Sequence, residues 1–194
     1  MISELNTVVY PGYGVAKISK EIIKDMNGEK VVFYELSFCK RDIKILVPKN
    51  GLEAAGVRRL SSKKEMLDIF EVFCIPFSQY WIEKINITSW NRRNKEYQNK
   101  IRTGNLRELS EIYRDLKFIE KKKNLSFGEK AVLAQVEFLI AEECAMIMND
   151  KPIETFTKEL RKCCEECLIG KKENIQNIFL QMKNIEGGLD RINF

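Results

Sequence analysis

The chain has 194 residues, 44% of them hydrophobic and 31% charged, which is globular composition and material for two small domains rather than one large one. It holds no histidine, the side chain most used for proton transfer near neutral pH, and no P-loop, G-x-S-x-G or G-x-G-x-x-G, so the reading is of a protein that is not an enzyme and needs no cofactor. The net charge of +5 is uneven: residues 1–80 carry +2, residues 81–123 carry +6 and residues 124–194 carry −3.

The first residues place Glu4 among interleaved polar and apolar positions and show no basic leader, which predicts that no secretory signal is present. Residues 7–48 then read as short strands: Thr7-Val8-Val9-Tyr10, Gly14-Val15-Ala16-Lys17-Ile18, residues 30–38 and residues 43–47. Each is rich in β-branched or aromatic residues and each is bounded by turn residues. Asn27-Gly28 is the sharpest turn signal, because both residues tolerate the positive φ of a tight hairpin. Short strands with such turns predict a small, strongly bent barrel. From Ser61 the period changes to helical, with Met66, Ile69, Phe70 and Phe73 on one face and Pro76 closing the segment. Residues 75–89 have no clean period and read as a connector.

After Ser89 the pattern is helical throughout. Ser89 fits the cap of a helix starting at Trp90, and Gly104 fits its left-handed end. Asn105 with Glu108 and Ser126 with Glu129 have capping-box spacing. Leu106, Leu109, Ile112, Tyr113, Leu116 and Ile119 form one apolar face; Val132, Leu133, Val136, Leu139 and Ile140 form another. Residues 131–148 are too rich in Gln135, Glu137, Glu142 and Glu143 to cross a bilayer, so a cytoplasmic protein is expected. Pro152 opens a further helix through Phe156, Leu160, Cys163 and Cys167, and a last one carries Ile175, Ile178, Phe179 and Met182 before Gly187-Gly188.

The six cysteines, Cys39, Cys74, Cys144, Cys163, Cys164 and Cys167, do not form a regular disulfide framework. Cys163 and Cys167 share a helix face, where cysteine commonly behaves as a small buried hydrophobe, so packing is expected there rather than a metal or redox site. Within the basic block, residues 89–103 carry Arg92, Arg93, Lys95, Lys100 and Arg102 against the single acid Glu96. A polyanion would see that run as one basic element, although charge runs are usually solvated helix faces.

Two stretches resemble the CarD/CdnL-type RNA polymerase-binding transcription regulators. In the barrel they are Val8-Val9-Tyr10-Pro11-Gly12-Tyr13-Gly14-Val15, Asn27-Gly28 to Tyr34, Val47-Pro48 and Gly56-Val57-Arg58, a pattern shared with transcription-repair coupling factors. In the helical part they are Trp90-Asn91-Arg92-Arg93, Gly104, Arg114-Asp115-Leu116 and Leu125-Ser126 to Glu129-Lys130. The resemblance implies an α+β protein: a small Tudor/SH3-like β-barrel with a closing helix over residues 1–74, a connector over 75–89, and an all-α helical bundle with a C-terminal extension over 90–194. It also implies that the barrel docks on the polymerase β subunit near Lys24, Met26 and Leu46. Leu46 stands where some members place arginine, and Tyr13 where histidine is common.

The resemblance further implies that the helical domain holds promoter DNA at the upstream edge of the transcription bubble. There Trp90 would be a wedge in the minor groove, with Arg92, Arg93, Lys95 and Lys130 on flanking phosphates. Neither a membrane nor a small-molecule substrate is expected as a partner. Trp81 reads as packing, and Arg114 beside Asp115 fits an intradomain ion pair as well as a DNA contact. A polymerase-docking adaptor whose helical domain binds protein is the alternative, and a thiol or zinc sensor on the cysteine clump a third.

Overall fold

Four strands run in sequence order as one antiparallel sheet: β1 (Thr7–Tyr10), β2 (Gly14–Met26), β3 (Glu29–Phe38) and β4 (Lys44–Pro48). The structure, a computed structural model, describes residues 6–148 and 152–169. The helix expected around Ile175 to Met182 lies outside them. After β4 the chain turns through Lys49–Gly51 and returns so that Arg58 pairs with Val9 on the outer side of β1. That return curls the sheet around a core of Val8, Ala16, Tyr34, Leu36, Phe38, Val47, Leu52 and Val57, an antiparallel half-barrel.

The Asn27-Gly28 turn has φ of 58° and 88°, the left-handed pair that a two-residue hairpin requires, and the Gly28 amide donates to Asp25 Oδ1 at 2.8 Å. β2 runs well past its expected end at Ile18, because this turn lets it pair with β3 to the tip, with Met26 opposite Glu29. The register slips at Ser19: Ile18 faces Leu36 but Lys20 faces Glu35. Ser19 is the extra residue of a bulge, and its hydroxyl donates to the Glu35 carboxylate at 2.8 Å.

Six helices follow among the described residues: α1 (Lys63–Cys74), α2 (Gln79–Ile87), α3 (Trp90–Thr103), α4 (Leu106–Lys122), α5 (Phe127–Ile147) and α6 (Ile153–Leu168). Ser62 with Glu65 and Ser126 with Glu129 make reciprocal capping boxes. At α4 the cap is one-sided: Asn105 accepts from the Arg107 and Glu108 amides, while the Glu108 carboxylate takes the Thr103 hydroxyl instead. Residues 75–89, read as a connector, contain α2, capped by Ser78. Helix α1 packs on α4 and α6, so its Met66, Ile69, Phe70 and Phe73 belong to the helical core rather than to the barrel.

The sheet meets the helices through two adjacent buried acids of α5. Glu142 accepts the Val15 amide at 3.0 Å, and Glu143, 2% exposed, takes both terminal nitrogens of Arg58 at 2.8 Å and the Ser61 amide at 2.9 Å. Arg58 also donates to the Gly104 carbonyl between α3 and α4. Gly14, at φ 101°, leaves the Glu142 carboxylate the space a Cβ would take. No helix of the described residues is long and apolar enough to cross a membrane.

Replacing Arg58 with methionine leaves the buried Glu143 charge with a single amide partner, and truncating one side of such a pair costs about 3 kcal/mol or more. The expected outcome is a clear fall in urea midpoint. A variant as stable as the native chain would show that the joint rests on apolar packing instead.

Candidate nucleic-acid interface

Trp90 is the first residue of α3, half-buried between solvent and the helical core. Its ring sits edge-on to Tyr97 at 6.5 Å, and Gly128, on the first turn of α5, lies so close that a Cβ there would be 3.0 Å from the indole. The tryptophan is thus seated by a glycine on a neighbouring helix, with part of its ring left outward. Ser89 occupies the cap position ahead of it without a side-chain bond, and Gly104 ends the helix at φ 63° as expected.

The sequence-predicted basic residues separate into two kinds. Arg92 and Lys95 are exposed on the outer face of α3; the Arg92 side chain is 76% exposed and only loosely paired with Glu96, at 3.8 Å. Lys130 is exposed on the first turn of α5. Arg93, expected with them as a phosphate contact, turns inward instead, at 7% exposure. It donates to Glu129 at 2.6 Å and to the Ile85 and Thr88 carbonyls at 3.0 and 3.2 Å. The helical period explains this: Arg93, Tyr97 and Ile101 share the buried face of α3. Burial pushes the Glu129 carboxyl up, but hydrogen bonds from Ser126 and the charges of Lys123 and Arg93 outweigh it and hold the group below the usual range. Arg93 therefore joins α2, α3 and α5 around Trp90 rather than reaching a ligand.

Three residues missed in the sequence complete the surface. A recess of about 440 Å³ beside Trp90 is lined by Phe118, Lys122, Lys123 and Ser126 among others, and the two exposed lysines add charge to its rim. The available signal was the Lys121-Lys122-Lys123 run, which ends α4 just ahead of the α5 cap. Phe127, adjacent to the glycine that seats Trp90, is 91% exposed. An exposed phenylalanine one residue from the glycine that seats Trp90, with Lys130 exposed on the same helix start, adds an aromatic and a basic side chain to this surface, a combination that suits nucleobases and phosphates together.

Arg114 proves to be an ion-pair residue. It is buried with Asp115 at 3.3 Å, donates to the Val72 carbonyl at 3.1 Å and lies over the Phe77 ring at 4.7 Å. Trp81 stacks on Phe77 and meets Phe118, as packing predicts. On the sheet, Lys24, Met26 and Leu46 all lie on its outer face: Leu46 pairs with Glu35, which pairs with Lys20, and Lys24 and Met26 follow at two-residue steps. Lys24 covers the Phe33 ring, while Met26 and Leu46 are exposed apolar residues. The remaining candidate chemistry is sparse, since no cluster of three or more metal-ligating side chains occurs among the described residues.

Residues 82–158, from α2 into α6, match the family described as CarD, C-terminal domain. Over those residues the chain resembles the C-terminal domain of CarD-type proteins. It is also 28% identical over 153 residues to the "Putative transcription factor YdeB" of Bacillus subtilis (strain 168), covering 78% of this chain and 96% of that protein. The CarD domain match takes in Trp90, the basic face of α3 and the α5 start, and the longer match requires part of the sheet region as well.

Burial raises the Asp115 carboxyl from 3.8 to about 7, against the opposing charge and hydrogen bond of Arg114 and the charge of Lys100. A carboxyl that holds its proton more tightly when folded stabilises the fold fully below its unfolded pKa, and loses that contribution as pH rises through about 7. The native chain should therefore have a lower melting temperature at pH 8 than at pH 5, and Asp115→Asn should flatten that slope. An unchanged slope in the variant would place the titration on another group.

Proposed function

We propose that the protein is a non-catalytic transcription regulator that works in the cytoplasm on RNA polymerase and lengthens the life of the promoter open complex by contacting DNA at the upstream edge of the bubble. The observation that carries the reading is the half-exposed Trp90, seated by Gly128 and the Arg93–Glu129 pair, with Arg92, Lys95 and Lys130 exposed on the surrounding surface. A flat apolar ring at the edge of an opened duplex resists reannealing, as inserted side chains do in minor-groove binders. Exposed cations beside it add affinity by displacing counterions from phosphates. Phe127, Lys122 and Lys123 extend the same surface. Arg93 serves by holding Trp90 in place.

The polymerase β subunit docks, in this reading, on the outer face of the hairpin. Lys24, Met26 and Leu46 share that face, and exposed Met26 and Leu46 give the contact an apolar character where arginine would have given a bidentate donor. Docking brings the helical domain to the DNA, so affinity for the opened state shifts the equilibrium without any chemical step. A preference of about 1.4 kcal/mol for the open complex is enough for a tenfold shift.

Open-complex lifetime with cognate polymerase tests this. The native protein is expected to lengthen it, Trp90→Ala to abolish the effect while still binding polymerase, and Phe127→Ala to weaken it. Arg92→Ala with Lys95→Ala should flatten the dependence of log affinity on log salt by about 2. If the native protein binds polymerase and leaves the lifetime unchanged, and the charge variants bind as well as the native chain, the helical domain recruits protein instead of holding DNA.

A further inference from the structure

The cysteines of α6 face a partner that their spacing does not reveal. Cys163 and Cys164 are fully buried in the helical core, whereas Cys167 is half-buried near the end of the helix. Its Sγ lies 3.1 Å from Sγ of Cys74, the last residue of α1 and also half-buried. The two helices pack along each other, so neither sulfur reaches the other by an extended loop. A bonded pair of sulfurs stands at about 2.05 Å, so closing the gap takes a movement of only about 1 Å.

We propose that Cys74 and Cys167 are a disulfide-forming pair that staples the end of α1 to the end of α6 when the protein meets a peroxide-class oxidant. Either thiol can open the reaction, and the bond formed is the same. The Cys167 proton is held more firmly than in a free thiol, by its hydrogen bond with Cys163 and by burial, which outweigh the hydrogen bond with Cys74. Where Cys74 opens it, its thiolate attacks one peroxide oxygen, the O–O bond breaks, and the departing hydroxide takes a proton to leave as water. The resulting sulfenic acid is attacked at sulfur by Cys167, whose proton accompanies the second departing hydroxide as water. Two thiols are oxidised by two electrons, one peroxide is reduced to two waters, and a dithiol reductant reverses the bond.

The staple closes a loop between positions 93 residues apart. Loops of this length lose much unfolded-state freedom when closed, so the melting temperature should rise by about 5 °C or more. The experiment is to treat the purified full chain with hydrogen peroxide, block remaining thiols, digest without reduction and map linked peptides by mass. The expected result is one linked pair joining the Cys74 and Cys167 peptides with the loss of two hydrogens. It should be absent from Cys74→Ser and Cys167→Ser, retained in Cys163→Ser, and accompanied by a melting shift that a dithiol reverses. Either of two results overturns the proposal: thiols that all remain open to alkylation after peroxide, or a linkage through Cys163 that survives in Cys74→Ser.

Discussion

Arg58 and Glu143 stand 85 residues apart in sequence, yet together they join the closing edge of the sheet, the turn between α3 and α4, and α5. The backbone of Arg58 closes the sheet against Val9, and its side chain grips both oxygens of a carboxylate on α5 while reaching the Gly104 carbonyl. A buried carboxylate is costly unless fully paired, and here two guanidinium nitrogens and the Ser61 amide provide that pairing. The geometry is bidentate, so it fixes orientation as well as distance. Glu142 next to it binds the Val15 amide, which sets the start of β2 on the same helix. The half-barrel and the bundle are thereby held in one arrangement by acids that a purely apolar α5 would lack.

The same device recurs at the other end of α5. Glu129 caps its own helix through Ser126 and also receives Arg93, so one carboxylate links a helix start to the face of α3 that carries Trp90. Gly128, one residue earlier, supplies the clearance for the indole. Capping, ion pairing and ring seating therefore depend on consecutive residues of a single turn. A surface assembled this way keeps its aromatic ring in a defined pose before any partner arrives, which reduces the ordering cost of binding.

Much of this was legible beforehand because the local signals agreed with one another. Asn27-Gly28, the apolar faces of α4 and α5, and the Ser126–Glu129 spacing each point to the element that forms. What sequence alone could not supply was long-range choice. Tyr97 and Ile101 mark the face of α3 that Arg93 shares, but that Glu129 of α5 is its partner there comes only from the folded arrangement. Glu142 and Glu143 read as a reason against a membrane span, whereas their structural use depends on Val15 and Arg58 from the far domain. The α1 stretch showed its helical period plainly, but which core would receive it depended on α4 and α6. Cys167 gave no hint of Cys74 for the same reason.

The bulge at Ser19 carries an implication for how such a chain tolerates changes in length. Strict alternation continued from Ala16 and Ile18 would turn Lys20, Ile22, Lys24 and Met26 toward the barrel interior, and the additional residue is what places them outside. Removing Ser19 would leave Lys20 opposite Glu35 and the same side chains outward, because the partner strand keeps its own alternation. Only the local bend and twist of β2 would change. Loss of that one residue therefore re-aims the hairpin without rewriting what it displays, which separates the direction of the hairpin from the chemistry of its outer face.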